Sequence, residues 1–270
     1  LEAGGNAVDA AVGACFACAA GEPTLTSLAG GGVLLLRDAA SGAVTLCDFF
    51  ANAPGLGAQR DAGRRRDDGD LDFYAVELDF GPAVQHFHIG AASAAVPGAI
   101  PGLLSAHERW GALPLGEVVA PACGLLREGV TLGAWQAQAA ALLTPILTST
   151  ESSRRQFAPT GELIVEGDRW ALPQLAQTLE ALADGKTPWR ETYAGPLRQG
   201  LLGAGGEAAG GVLTVADLEA YEVLFRDGLA FSYRGRRGFT NPPPGAGGEL
   251  IALLLALLEG REDSSACVPG

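Results

Sequence analysis

Helical and strand-like patterns of hydrophobic residues follow one another in the first fifty positions. The stretch GGNAVDAAVGACFACAAGEP is apolar on nearly every side, which predicts a buried helix that begins after Asn6 and ends at Gly21 and Pro23. Two strand patterns follow at Val33 to Arg37 and Ala43 to Phe50, with the turn residues DAASG between them. We therefore predict a helix followed by a β-hairpin.

The rest of the chain has a helical middle with strands on both sides. A polar, Gly-rich loop is expected from Gly55 to Asp72, followed by strands in FYAVELDFG and QHFHIG. Amphipathic patterns predict helices in PGAIPGLLSAHERWG, LPLGEVVAPACGLLREGV, Leu132 to Leu147, Leu172 to Ala183, TPWRETYAGPLRQGLLGAGG and Glu249 to Glu259. TVAD, Thr214 to Asp217, is a capping-box-like start for a further short helix, with Asp where Glu or Gln is usual. Strands are predicted at Glu222 to Arg226 and Leu229 to Thr240. With neither a repeat nor a linker in view, one α/β unit is the economical prediction.

Composition and charge narrow the function classes. The chain has 270 residues, 48% of them hydrophobic, which suffices for a sizeable core. Its net charge of −13 repels phosphate backbones, so we expect no nucleic-acid partner. The longest apolar stretch, Leu250 to Leu258, is shorter than the ~20 residues that span a bilayer, so we expect no membrane span in this chain. The chain begins at Leu1 and contains no Met, so we expect the sequence to be processed, clipped or incompletely recorded. A cytoplasmic, periplasmic or secreted location stays open.

Cysteine and histidine give little support for metal or redox chemistry. Cys15 and Cys18 have C-x-x-C spacing, but no second pair follows, and we expect both to be small buried hydrophobes. His86 and His88 share one strand face, yet His107 is the only other histidine, so we predict no metal site. No nucleophile elbow, P-loop or dinucleotide motif occurs either.

The order of several sequence blocks is more informative than any single motif. The blocks are LEAGGNAVDAAVGACFACAAGEPTLTSLAGGGVLLL, DFFANAP, AAVPGAIPGLLSAHERWGALPLGEVVAPACGLLREGV, GGVLTVADLEAYEV and YRGRRGFTNPPPGAGGELIALLLALLEG. Together they resemble the γ-glutamyltranspeptidase family, in family order, from Leu1 to about Gly260.

The resemblance implies a fold and a mechanism. The expected fold is α+β, a four-layer αββα sandwich of the N-terminal-nucleophile hydrolase type, completed by a second, small subunit cut from the same precursor. A Thr at the new N-terminus of that small subunit would be the nucleophile and its α-amine the base, without metal or cofactor. Because Thr214 and Thr240 lie inside large-subunit blocks, we expect no catalytic residue in this chain. Residues 1–260 would form a single large-subunit core, and residues 261–270 a tail before the autocleavage site.

One departure from the family motif concerns the substrate. Typical members read D-F-R-E-x-A-P, in which the Arg clamps the α-carboxylate of the γ-glutamyl group, whereas this chain reads DFFANAP from Asp48 to Pro54. Phe50 takes the Arg position and Ala51 the Glu position, and these two are the candidate substrate-binding residues. Either the pocket prefers a less charged, more apolar acyl group, or Phe50 merely packs and another Arg, such as one from Arg64 to Arg66, supplies the clamp.

A second departure lies near the C-terminus. The family's P-P-P-S-S-G-G reads PPPGAGG here, with Gly245 and Ala246 in place of the serines. We interpret it as a rigid packing turn, and a role in the site stays open. Three functions stay open. The family default is acyl transfer from a γ-glutamyl amide such as glutathione to water or an amino-acid acceptor. The others are an acylase for a more apolar amide and a catalytically silent binding relative.

Overall fold

The structure is a computed structural model that describes residues 1–57, 71–186 and 188–259. Its helices are α1 Ala7–Gly21, α2 Ala99–Trp110, α3 Leu115–Glu128, α4 Ala134–Leu142, α5 Thr144–Leu147, α6 Glu151–Phe157, α7 Pro173–Ala183, α8 Trp189–Thr192, α9 Arg198–Gly205, α10 Val215–Ala220 and α11 Ala246–Glu259. Its strands are β1 Gly32–Arg37, β2 Val44–Phe49, β3 Tyr74–Asp79, β4 Val84–Ile89, β5 Val130–Thr131, β6 Arg169–Trp170, β7 Leu224–Asp227, β8 Leu229–Tyr233 and β9 Arg236–Thr240. The paired strands are antiparallel and, apart from the short β5 and β6, they lie in runs separate from the helices, in agreement with the expected α+β class.

The described residues form two compact units. The larger contains Leu1–Gly31 and Ala51–Tyr221, and the smaller contains Gly32–Phe50 with the described residues from Glu222 onward. The larger unit holds α1 to α10 and the pairs β3–β4 and β5–β6, while the smaller holds the β1–β2–β7 sheet, the β8–β9 hairpin and α11. One domain over residues 1–260 stays a prediction.

The first helix begins where its cap predicts. Asn6 Oδ1 accepts hydrogen bonds from the N–H groups of Val8 and Asp9, and Asp9 Oδ2 accepts one from Asn6 N at 2.8 Å. The expected burial on every side is wrong, because α1 packs on α3 and α2 through one face only. Its other face, which includes Cys15 and Cys18, is exposed. An apolar pattern does not tell how many neighbours a helix has.

The predicted β1–β2 hairpin is confirmed, and a second hairpin replaces a predicted strand. β1 and β2 pair antiparallel with Gly32 opposite Phe49, and β7 adds to the other edge of β2. The single strand expected from Leu229 to Thr240 is β8 and β9, joined at Arg234 (φ 48°) and Gly235 (φ 69°). Two consecutive left-handed residues form the tight turn that suits a two-residue hairpin loop.

The helical middle is more broken than its pattern predicts. The helix expected from Leu132 to Leu147 stops at Leu142 and restarts at Thr144, and α6 follows behind the cap Thr150. The helix expected in TPWRETYAGPLRQGLLGAGG is interrupted at Gly195, where φ is −92° and ψ is −114°. Most of the predicted polar loop (residues 58–70) and the tail 261–270 lie outside the described residues. No helix in the described part of the chain combines the length and apolarity needed to cross a membrane.

Candidate functional site

The two adjacent phenylalanines of the DFFANAP motif have opposite environments. β2 ends at Phe49, whose side chain is buried, as expected for a core aromatic. Phe50 comes one position later and is 68% exposed. Successive side chains on a strand leave opposite faces, which explains how neighbours of the same type differ so strongly. Phe50, a predicted substrate-binding residue, therefore presents its aromatic ring to solvent.

A carboxylate and a guanidinium fix the end of β2 within the smaller unit. Asp48 Oδ2 accepts a hydrogen bond from Arg226 Nη1 at 2.8 Å, and Asp48 Oδ1 accepts one from Phe50 N at 3.2 Å. Arg226 Nη2 donates to the carbonyl of Pro243. Both charged side chains are partly shielded, at 16% exposure for Asp48 and 30% for Arg226. Arg226 thus joins the DFF end of β2 to the proline turn, with both terminal nitrogens engaged.

The chain packs closely around Gly245 and Gly248 in the proline turn. Asn241 Nδ2 donates to the carbonyl of Gly245 at 3.1 Å. A Cβ added at Gly245 would collide with that same amide nitrogen, and one added at Gly248 would collide with the carbonyl of Asn241. Asn241 therefore occupies the space that side chains would need at the start of α11. This geometry agrees with the predicted packing turn.

Ala51 begins a segment that the larger unit anchors at two points. Ala51 itself is half-buried. Asn52 and Val96 exchange two backbone hydrogen bonds, Asn52 N to Val96 O at 3.2 Å and Val96 N to Asn52 O at 2.9 Å. Gly55 N and Leu56 N donate to Asp217 Oδ1 at 2.9 and 2.7 Å.

Asp217 is the third residue of α10 and completes the capping box that TVAD predicts. Its Oδ2 accepts from Thr214 N at 2.7 Å and Thr214 Oγ1 at 2.8 Å, and its N–H donates back to Thr214 Oγ1. Burial alone would raise the pKa of this carboxyl, but the N–H groups of Gly55 and Leu56, with Thr214, outweigh burial and hold the pKa below its ordinary value.

Asp9 has the same arrangement of hydrogen bonds at the start of α1 as Asp217 has at the start of α10. Besides Asn6 N, its carboxylate accepts from Ala112 N at 3.0 Å and Leu113 N at 3.4 Å, and His107 Nε2 lies 3.4 Å from Oδ1. Burial would raise the pKa of Asp9, but these N–H donors and the neighbouring His107 lower it overall. Asp9 and Asp217 are therefore two buried N3 carboxylates, each of which holds a remote loop.

The structure does not gather the histidines into a ligand set. His86 Nδ1 lies 3.6 Å from Glu77 Oε1 with both side chains well exposed, and His88 stacks on Phe73. Within residues 1–57, 71–186 and 188–259 no three His, Cys, Asp or Glu side chains cluster closely enough to hold a metal ion. The absence of a metal or cofactor in the function stays a prediction.

Sequence reasoning named Phe50 and Ala51 but missed the residues that fix them. The structure places Phe50 at the end of the smaller unit's β2 and Ala51 at the start of the larger unit's anchored segment. Arg64 to Arg66, the alternative clamp, lie outside the described residues. Arg226 and Asp217 lack a local signal for this role, although the TVAD capping box marked Asp217 as a helix-start residue.

A family model and curated relatives identify the same protein family for this chain. The family model described as Gamma-glutamyltranspeptidase matches residues 1–268. The chain belongs to the γ-glutamyltranspeptidase family. It is 32% identical over 264 residues to the glutathione hydrolase proenzyme of Escherichia coli K12, covering 96% of this chain and 42% of that protein. It is also 32% identical over 269 residues to the acylase ACY 1 proenzyme of Pseudomonas sp. strain V22, covering 97% of this chain and 45% of that protein.

A solved structure of this family confirms the fold. The crystal structure of Helicobacter pylori γ-glutamyltranspeptidase matches with a TM-score of 0.82 at 26% identity, over 100% of this chain and 72% of that one. The α+β fold of N-terminal-nucleophile hydrolases, expected from the resemblance, is thereby confirmed. This γ-glutamyltranspeptidase-family chain spans less than half the length of the two curated relatives.

Proposed function

We propose that this chain is the large-subunit part of a self-processing amide acyltransferase or hydrolase of the γ-glutamyltranspeptidase type. The match over nearly the whole chain to a glutathione hydrolase proenzyme and an acylase proenzyme supports this proposal. The nucleophile is a Thr at the N-terminus of the small subunit, which is cut from the same precursor. The partners of this chain are therefore that subunit, a small-molecule amide, and water or an amino-acid acceptor.

The proposed reaction uses the Thr hydroxyl and the α-amine of the same residue. The hydroxyl oxygen attacks the amide carbonyl and passes its proton to the α-amine, which returns it to the departing nitrogen as the C–N bond breaks. The acyl group is left as an ester on Thr. Water or an amine then attacks that ester and releases the hydroxyl. Phe50 and Ala51 are the residues of this chain that we propose as contacts of the acyl donor.

The exposed apolar surface of α11 supports the proposal that this chain binds a partner subunit. Its leucine and isoleucine side chains are roughly half exposed to solvent although the helix packs on β8 and β9. The exposed side chains are Leu250, Ile251, Leu253, Leu254, Leu257 and Leu258. An uninterrupted apolar surface of this kind is typical of a protein interface. The small subunit of the same precursor is the occupant that fits a chain spanning less than half of its relatives' length.

Phe50 favours one alternative to the γ-glutamyl default, an acyl group without the α-carboxylate. An Arg at this position would pair bidentately with that carboxylate. Hydrogen bonds to charged groups contribute ~1.5–3 kcal/mol, so losing the clamp weakens γ-glutamyl binding by roughly ten- to a hundred-fold. Arg226 offers no ready replacement, because Asp48 and Pro243 engage its terminal nitrogens. The exposed ring of Phe50 would instead contact an apolar acyl chain.

Processing is the first test of this proposal. The full-length precursor is purified and analysed by intact mass and N-terminal sequencing under denaturing conditions. We expect two polypeptides, the smaller beginning with Thr. A single uncleaved chain that hydrolyses no amide would support the catalytically silent relative instead.

Substrate choice is tested with two p-nitroanilides that differ only in the α-amino and α-carboxyl groups, γ-glutamyl-p-nitroanilide and butyryl-p-nitroanilide. We expect the wild type to favour the butyryl compound and Phe50→Arg to shift the kcat/KM ratio toward the γ-glutamyl compound by about tenfold or more. Phe80→Arg makes the same change at another exposed phenylalanine, next to the β3–β4 turn. An equal shift in both variants, or none in Phe50→Arg, contradicts the assignment of Phe50 to the acyl pocket.

A further inference from the structure

The segment from Ala51 to Gly57 is anchored by hydrogen bonds to the side chain of Asp217, a residue that the proposed reaction does not use. Asp217 is 2% exposed and carries a carboxylate that accepts hydrogen bonds from both Gly55 N and Leu56 N. The hydroxyl of Thr214, the cap of α10, lies between Asp217 Oδ2 and the carbonyl of Leu56, and these two acceptors share its single proton. The N-terminus of α10 therefore forms hydrogen bonds with two consecutive residues of the segment, Gly55 and Leu56.

The backbone of this segment departs from regular secondary structure. Gly55 has φ of +114° and Gly57 has φ of +71°, so the chain turns sharply just after Pro54 through conformations with no regular hydrogen-bonding partner. The partly buried N–H groups of Gly55 and Leu56 therefore take acceptors outside a regular backbone ladder. Asp217 supplies them at one end of the segment, and Val96 pairs with Asn52 at the other. Ala51 lies directly before the first anchor.

We propose that Asp217 is a positioning residue for acyl-donor binding, which holds the Ala51–Gly57 segment in the geometry that forms one wall of the acyl pocket. This proposal rests on the proposed function. Asp217 acts through the backbone of Gly55 and Leu56 and touches no substrate. Misplacing a pocket wall by a small distance weakens binding of the acyl donor, because a binding site must be held close to its productive geometry.

Asp9 provides a matched control. It occupies the same N3 position in a capping box, is equally buried, and accepts N–H groups from a remote loop, but that loop is Ala112–Leu113. Asp9→Asn and Asp217→Asn therefore both remove a buried carboxylate that accepts N–H groups from a remote loop, and Asp9 has His107 as an additional neighbour. Only Asp217→Asn loosens the segment next to the candidate pocket.

The experiment measures kcat and KM of the full-length, processed protein with γ-glutamyl- and butyryl-p-nitroanilide, beside its melting temperature. We expect Asp217→Asn to raise KM for the better donor by about tenfold with a smaller change in kcat. Thr214→Val removes only the hydroxyl and is expected to raise KM less, in the same direction. Asp9→Asn is expected to lower the melting temperature and leave KM unchanged.

Hydrogen exchange of the Gly55 and Leu56 amides gives a second readout that needs no turnover. We expect faster exchange of both in Asp217→Asn and wild-type protection in Asp9→Asn. Unchanged protection in Asp217→Asn overturns the anchor, and a KM that is unchanged, or that rises equally in Asp9→Asn, overturns the positioning role. A wild-type protein that releases p-nitroaniline from neither donor overturns the proposed function instead.

Discussion

Arg226 and Asp48 form a partly shielded ion pair, with Nη1 of Arg226 2.8 Å from Oδ2 of Asp48. The pair bridges adjacent strands, because Arg226 lies on β7 and Asp48 on β2. It also reaches beyond the sheet, since Arg226 donates to Pro243 and Asp48 accepts from Phe50 N. The pair and these two further hydrogen bonds therefore fix the end of β2 within the smaller unit.

Removal of the guanidinium is expected to destabilise the protein through this pair. Arg226→Met leaves the Asp48 carboxylate and the Pro243 carbonyl without that donor, at a cost of about 1–3 kcal/mol in unfolding free energy. Arg226→Lys restores a charge beside Asp48 but cannot reach both acceptors as a fork, so an intermediate loss is expected. A double-mutant cycle with Asp48→Asn, measured by urea unfolding, isolates the pair. A coupling energy near zero would show that the two side chains act independently.

Asp9 is expected to make stability depend on acid pH. Its folded-state pKa lies below the unfolded value of about 3.9, so its contribution is fully present above about pH 5 and is lost as pH falls through the folded pKa. Asp9→Asn should therefore lower the melting temperature at pH 7, and its difference from wild type should shrink below about pH 4. The exposed Glu117, changed to Gln, serves as the control. A difference that stays constant from pH 7 to pH 3 would contradict the assignment.

Substitutions at two glycines, one in the β3–β4 turn and one directly after β4, distinguish the cost of backbone strain from the cost of a steric collision. Gly81 has φ of +87° with open space around it, and Gly90 has φ of +105° where a Cβ would collide with the carbonyl of Asp72. Gly81→Ala is expected to lower the unfolding free energy by roughly 1–2 kcal/mol, and Gly90→Ala by about 2–5 kcal/mol, because overpacking adds to the strain. Thermal unfolding of both variants checks the order. Equal losses would mean that Asp72 moves aside freely.

The exposed face of α11 is expected to matter for assembly more than for the stability of this chain. Leu254 and Leu257 are 57% and 62% exposed, so changing both to Glu buries no new charge in this chain. In the full-length precursor, however, the double variant should reduce the yield of processed protein that co-purifies as two chains. Trp135→Glu, at a side chain with 66% exposure on α4, is the control. Normal co-purification of the Leu254 and Leu257 variant would argue against this face as the interface.

The elements that sequence predicted best are those whose signals lie within one turn or one hairpin. The start of α1 after Asn6 and the β1–β2 hairpin are examples. The turn at Arg234 was missed because Arg is not a usual left-handed residue. The bonds from Arg226 to Asp48 and from Asp217 to Gly55 join residues 178 and 162 positions apart. Local periodicity carries no information about such partners, so only the family motif directed attention to Phe50 and Ala51.

The separation of Asp217 from Gly55 also bears on the order of folding. Their hydrogen bond closes a loop of 162 residues, and the entropy lost on closing a loop rises with its length. Contacts between residues so far apart in sequence form slowly and depend on structure between them. A nascent chain that stops before residue 217 leaves Gly55 and Leu56 without this acceptor. The candidate binding segment thus reaches its native geometry only after most of this chain has been synthesised and has folded.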